Sequence, residues 1–347
     1  MLVGICGGIC AGKHSVVDYL VKHHGFEQLY LSRTVCTPQV EKSALNTTVP
    51  HQDRSVDHEE KGQHSFDEVD SMLAYVTRQW SRRWVTTAVW DETVLDAFLK
   101  RPFFLLVSVD APVSMRWKRF KDRCEGVSQP APSLEDFVLR NDDHLYNHKS
   151  GLANLIDQAQ VRLVNSTSCL NTLHTALKDL DLTNEERLRP SWDQYFMQLA
   201  SLAAQRSNCM KRRVGCVLVR EKRVISTGYN GTPRGIKNCN EGGCTRCNAN
   251  HSSGVGLATC LCIHAEENAL LEAGRERIRE GAILYCDTCP CLTCSIKIAQ
   301  VGISEVVFSQ GYSMDTQTAA VFKESGVQLR QYSPPRKGLV NLRSKNC

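Results

Sequence analysis

The sequence predicts two α/β units in tandem: a first unit on a parallel sheet, and a second on a mixed five-stranded sheet covered by helices as an α/β/α sandwich. Three observations carry this. The chain has 347 residues, the size of roughly two ordinary domains. In its first half, short apolar runs alternate with segments whose apolar residues recur at helical spacing. After Pro190 the order becomes helix, strand, strand, helix, strand, helix, strand, helix, strand.

The first unit, residues 1–182, opens "MLVGICGGICAGKHSVVDYLVKHHGF". Leu2 to Cys6 predicts a buried strand, followed by a Gly-rich turn. Val16, Val17, Leu20 and Val21 predict a helix that Gly25 ends. Residues 36–70 are polar and His-containing without a period, and predict a surface loop. "WVTTAVW" and "PFFLLVSVDAP" predict further strands, and "VSMRWKRFKDRC" a basic helix. A charged stretch ending at Pro190 marks the boundary, with Ser191 placed to cap the next helix. The second unit, residues 190–332, has predicted helices over 192–206, 264–273, 291–301 and 316–325. Its strands are "VGCVLVRE", "RVISTGYNG", "AILYCDT", "EVVFSQ" and "VQLRQY". Residues 333–347 predict a mobile tail.

Composition narrows the function. Lys and Arg number 42 against 37 Asp and Glu, a net charge of +5. That balance permits a phosphate-bearing ligand. No basic stripe with interleaved aromatics is present, so no nucleic-acid partner is expected. No basic region precedes an N-terminal apolar run, and no run is long enough to span a bilayer, so no membrane partner is expected either. Seventeen cysteines without an export signal predict a reducing compartment, the cytoplasm or also the nucleus. Twelve of the seventeen lie from Cys209 onward, so thiol chemistry belongs to the second unit.

"HAEEN" at 264–268 and "PCLTC" at 290–294 carry that chemistry. A catalytic zinc needs three protein ligands and an open position. His264, Cys291 and Cys294 supply one nitrogen and two thiolates, each near a predicted helix N-terminus that favours anions. Zinc lowers the pKa of bound water from about 16 to about 7, so hydroxide is available at neutral pH. Glu266 is then the proton carrier to a ring nitrogen. Glu267 points about 100° further round the helix. Cys286 and Cys289 form a second C-x-x-C one residue from the first, too close for a separate knuckle, and are read as bystanders. The order H-x-E…P-C-x-x-C is the signature of zinc nucleobase deaminases, whose zinc-bound hydroxide attacks C4 of cytosine or C6 of adenine.

"GYNGTPRG", "CLCIHAEENALLEAG" and "TCPCLTCSIKIAQVGISEVVFSQGY" together resemble the deoxycytidylate deaminases over about residues 190–332. The resemblance implies the cytidine deaminase fold and conversion of dCMP to dUMP with release of ammonia. It implies that Asn230 holds the deoxyribose and base, unless Asn230-Gly231 is only a turn. It offers Ser207, Lys211 and Arg212 to the 5′-phosphate, unless they form a solvated basic face, and Tyr312 as an aromatic beside the nucleotide. It also implies activation by dCTP, inhibition by dTTP, Mg²⁺ accompanying such an effector, and a homo-oligomer of hexameric type.

Two features stand outside that site. The loop from Cys239 to Cys262 holds five cysteines in 24 residues. Cys239, Cys244 and Cys247, with Cys262 or Cys260, are candidates for a second, structural zinc, and His251 is a weaker one. Gly7, Gly12 and Lys13 fit G-x-x-x-x-G-K between a strand and a helix, where backbone amides cradle phosphates. His14 stands where a Ser or Thr would bind Mg²⁺. With "FFLLVSVDAPVSMRWKRFKDRC", this region resembles the P-loop nucleotide kinases, with catalysis lost or weakened. The fungal deoxycytidylate deaminases carry a similar extension.

Overall fold

The computed structural model describes all residues except 33–63, 149, 168, 250–255, 257–258, 312–315, 334–337 and 343–347. It divides into two compact units, Met1–Arg189 with Arg336–Cys347, and Pro190–Pro335.

The first unit runs β1 (Leu2–Gly7), α1 (Lys13–His24), β2 (Glu27–Leu31), β3 (Ser65–Phe66), α2 (Val69–Arg78), β4 (Trp84–Thr86), α3 (Glu92–Leu99) and β5 (Phe104–Asp110). It continues with α4 (Val113–Gly126), α5 (Leu134–Tyr146), α6 (Ala153–Asp157), β6 (Val161–Asn165) and α7 (Leu170–Leu180). "WVTTAVW" keeps only its first three residues as a strand. Most of the expected loop over 36–70 lies outside the described residues.

The sheet is parallel throughout, in the order β12-β6-β5-β1-β4-β2-β3, where β12 is Gly338–Leu342. Alternate residues of β1 face opposite cores, as a sheet covered on both sides requires. Val3 and Ile5 pack with Val16, Val17 and Leu20 of α1 and with Leu173 and Leu177 of α7. Leu2 and Cys6 pack with Met72 and Val76 of α2 and Leu95 and Phe98 of α3.

Strand β12 corrects the expectation of a mobile tail. Residues 338–342 pair with Val161–Asn165, and Val340 and Leu342 are buried in the core under α1 and α7. The physical reason is the exposed edge of β6, which offers a ladder of unpaired backbone groups.

The second unit runs α8 (Trp192–Ala204), β7 (Gly215–Arg220), β8 (Arg223–Tyr229), α9 (Thr245–Asn248), α10 (Ala265–Ala273), α11 (Arg275–Ile278), β9 (Ile283–Thr288), α12 (Leu292–Gln300), β10 (Glu305–Gln310), α13 (Thr316–Ser325) and β11 (Gln328–Gln331). Its sheet has the order β11-β10-β9-β7-β8. β7 is antiparallel to both β8 and β9, and β9, β10 and β11 are parallel. Helix α8 covers one face, with Phe196, Met197 and Ala200 on Val217, Tyr285 and Val307. Helices α10, α12 and α13 cover the other, over Cys216, Leu218, Leu284 and Val306. The α/β fold and the mixed sheet therefore match the expected architecture.

Candidate metal centre and active site

Two helix starts meet over the second sheet. Helix α10 follows His264, whose extended backbone makes it the N-cap. Its approach to β8 depends on Gly228, where a Cβ would lie 2.0 Å from the Ala265 carbonyl oxygen. Asn268, one turn on, donates from Nδ2 to the Tyr229 carbonyl at 2.8 Å. In front of the helix, Ile263 and Gly231 exchange backbone hydrogen bonds of 2.9 and 3.2 Å. "HAEEN" is thus held at its last residue against the end of β8, and Ile263 just before it is held against Gly231 beyond that strand. Helix α12 follows Cys291, also an extended N-cap.

The sequence-predicted ligands come together. His264 Nδ1 lies 3.3 Å from Cys291 Sγ and 3.4 Å from Cys294 Sγ. All three ligand atoms lie within 4.8 Å of one another. The Cys291 thiol is held well below its ordinary range, because the Cys294 thiol and the His264 ring hydrogen-bond to its sulfur. Thr293 Oγ1 adds a contact of 3.1 Å to that sulfur, a neighbour that sequence reasoning missed.

The two glutamates part company. Glu266 is 4 % exposed, and burial pushes its carboxyl up to about 7. Glu267 is turned outward to Lys297, 2.7 Å from its ammonium. Cys286 lies in the apolar core.

Asn230 is buried and its amide is heavily used. Oδ1 accepts from the Val214 amide at 2.8 Å and lies 2.7 Å from Ser207 Oγ, while Nδ2 donates to the Arg212 carbonyl at 2.8 Å. Asn230 and Ser207 therefore hold the loop that carries Lys211 and Arg212. The Arg212 guanidinium reaches Gln310 Oε1 at 2.7 Å. Tyr312 and His251 lie outside the described residues.

Residues 190–310 match the model of the cytidine and deoxycytidylate deaminase zinc-binding region. The deoxycytidylate deaminase of Schizosaccharomyces pombe is 49 % identical over 97 % of this chain and 99 % of its own length. The chain belongs to the deoxycytidylate deaminases. It is an enzyme that deaminates dCMP. The Saccharomyces cerevisiae deoxycytidylate deaminase is 42 % identical over 96 % of this chain and 97 % of its own length. The human one is 32 % identical over 41 % of this chain and 80 % of its own length.

The deaminase carries a further cluster of thiols. Cys239, Cys244, Cys247 and Cys262, the expected second ligand set, lie together, but divided between two foursomes. Cys209, Cys239, Cys247 and Cys262 form one, and Cys244, Cys247, Cys260 and Cys262 the other. Sequence reasoning missed Cys209, which is 30 residues before Cys239 and set among basic residues rather than in the Cys-rich loop.

In the first unit, Gly7 ends β1, Gly12 turns at a φ of 108°, and Lys13 starts α1. Lys13 Nζ donates to the Gly7 and Gly8 carbonyls at 3.1 and 3.2 Å. A cleft of about 280 Å³ opens here, lined by Gly12, Lys13, Arg119, Arg123, Asn165 and Thr167. Arg119, from the basic helix α4, donates to the carbonyls of Ala11 and Thr167 at 3.2 and 2.7 Å. Among the described residues, no helix is long and apolar enough to cross a membrane.

Proposed function

We propose that dCMP is hydrolysed at a zinc held by Nδ1 of His264 and the sulfurs of Cys291 and Cys294, with Glu266 as proton carrier. The fit of the ligand set supports this. Tetrahedral zinc with Zn–N of about 2.0 Å and Zn–S of about 2.3 Å spaces N and S about 3.5 Å apart. The separations here are 3.3 and 3.4 Å. When bound, zinc would supply an acidified water at its fourth position and polarise the substrate.

The rest falls to Glu266. Its buried carboxylate takes a proton from the attacking water and passes it to N3 of the cytosine ring. It then delivers the second proton to the 4-amino group, which leaves as ammonia. The water oxygen stays on C4, so dCMP and water balance dUMP and ammonia. A carboxyl held near neutrality suits both directions of transfer. Asn230 and Ser207 set the loop that flanks the nucleotide, and Lys211 and Arg212 suit its 5′-phosphate as cations.

The Cys-rich loop binds structural zinc in this reading. The cleft of the first unit binds a nucleotide effector with Mg²⁺, dCTP as activator and dTTP as inhibitor, in a homo-oligomer. Three features support the cleft: glycine-rich backbone, Lys13 and two arginines at the carboxyl end of β1. Phosphotransfer is the weaker assignment, since His14 follows Lys13. The observation that carries the whole reading is the convergence of three ligands beside a buried Glu266. The deciding experiment is Glu266→Gln: zinc retained with dUMP formation lost supports it, and full turnover overturns it.

A further inference from the structure

Six cysteines of the second unit form one cluster that deamination does not use. Cys239, Cys244, Cys247 and Cys262 are buried, and Cys209 and Cys260 partly so. The foursome of Cys209, Cys239, Cys247 and Cys262 and the foursome of Cys244, Cys247, Cys260 and Cys262 each keep their sulfurs within 4.8 Å of one another. The two share a pair, Cys247 and Cys262, whose sulfurs are 3.9 Å apart. Other separations are 3.8 Å for Cys209–Cys247, 3.9 Å for Cys244–Cys260 and 3.6 Å for Cys247–Cys260.

These distances discriminate. A disulfide needs about 2.05 Å. A tetrahedral zinc with Zn–S of about 2.3 Å spaces its sulfurs about 3.8 Å apart. Two tetrahedra sharing one edge use six sulfurs, two of them common, and that is the division seen here. A single zinc would use four and leave two thiols packed against it without a task. Backbone amides already point at the outer sulfurs: Met210 N–H lies 3.5 Å from Cys239 Sγ, and Leu261 N–H 3.4 Å from Cys244 Sγ. Such donors favour thiolates. All-sulfur surroundings select soft or borderline metals and disfavour Mg²⁺ and Ca²⁺.

We propose that the six cysteines hold two zinc ions as a binuclear thiolate cluster. Cys247 and Cys262 bridge both ions, Cys209 and Cys239 complete one, and Cys244 and Cys260 complete the other. This rests on the second-site reading above and replaces its one ion by two. Loading exchanges six thiol protons for two divalent ions, which leaves a net charge of −2. The cluster ties together the chain before β7, which carries Cys209, and the loop that leads into α10. Cys262 precedes His264 by two residues, and Cys209 follows Ser207 by two.

The test counts metal rather than activity. Intact protein, purified without chelator, is measured by native mass spectrometry and elemental analysis. Three zinc ions per chain are expected, one at His264 and two in the cluster, and two are expected in His264→Ala. One or two zinc ions in the wild type, with one fewer in His264→Ala, overturns the binuclear cluster. No loss of zinc in His264→Ala instead counts against the catalytic-site reading, so the two failures are distinct. Shared sulfurs are read separately, in wild-type protein exchanged with ¹¹³Cd. Two thiolate-site resonances split by mutual coupling support bridging; two uncoupled resonances overturn it.

Discussion

Adjacent carboxylates in "HAEEN" are expected to behave unlike each other because one is buried and the other is not. Glu266→Gln keeps shape and zinc but cannot carry a proton. Its kcat is expected to fall by about 100- to 10,000-fold, the usual worth of a positioned acid–base group. Glu267→Gln removes an ion pair whose side chains are 31 % and 46 % exposed. It is expected to cost about 0.5 kcal/mol and leave kcat within about twofold. Steady-state dUMP formation, with zinc content measured in parallel, checks both. The difference in burial was legible in the sequence, because successive residues of a helix point about 100° apart, so only one of the two carboxylates can face inward. Cys209 was not. A thiol supplied from a distant loop leaves no spacing pattern, and only folding brings it within 3.8 Å of the Cys247 sulfur. Asn230 was half legible: its position at the end of β8 could be read, but not that its amide is committed to Val214, Ser207 and Arg212.

Elements position these residues through backbone contact, and two substitutions probe that. Gly228→Ala would place a Cβ 2.0 Å from Ala265 O and 2.6 Å from Ala269 N. Neither is a flexible side chain, so α10 must move, carrying Glu266 with it. Overpacking of this kind costs about 1–3 kcal/mol, and a displacement of about 1 Å can cost about 100-fold in rate. A lowered melting temperature together with a lowered kcat is expected; both unchanged would show the α10–β8 spacing to be soft. Arg330 of β11 ties α8 to the sheet, donating to Asp193 at 2.6 and 3.1 Å and to Glu305 at 2.8 Å. Its guanidinium, the leading cause, holds Asp193 below the ordinary 3.8. A depressed carboxylate stabilises the fold above its unfolded pKa and loses that contribution as pH falls through its folded value. Arg330→Gln is therefore expected to cost about 1 kcal/mol. The melting-temperature gap to wild type should stay constant from pH 8 to pH 5 and shrink below about pH 4. The strands and helices around these contacts were readable from periodicity. The registers that make Gly228 and Arg330 critical were not, since they are set by tertiary packing.

At the scale of the molecule, the chain leaves its first unit at Arg189 and returns to it at Arg336. The return is a single five-residue strand, β12, and its sequence "GLVNL" is too short to outweigh the proline and charge before it. That is why the sequence alone suggested a loose tail: a short edge strand is specified by the β6 edge it joins more than by its own composition. Its anchoring rests on Val340 and Leu342, which are 8 % and 2 % exposed beneath α1 and α7. Leu342→Ala removes most of one buried side chain from this core, at about 2–4 kcal/mol. The loss falls on the unit that contains β6, not on the unit that binds zinc. Calorimetry of the intact protein is expected to show one transition lowered by several degrees and the other in place, with zinc per chain unchanged. Equal lowering of every transition would mean that the two units unfold as one. Loss of zinc would mean that the closing strand supports zinc binding as well as its own sheet.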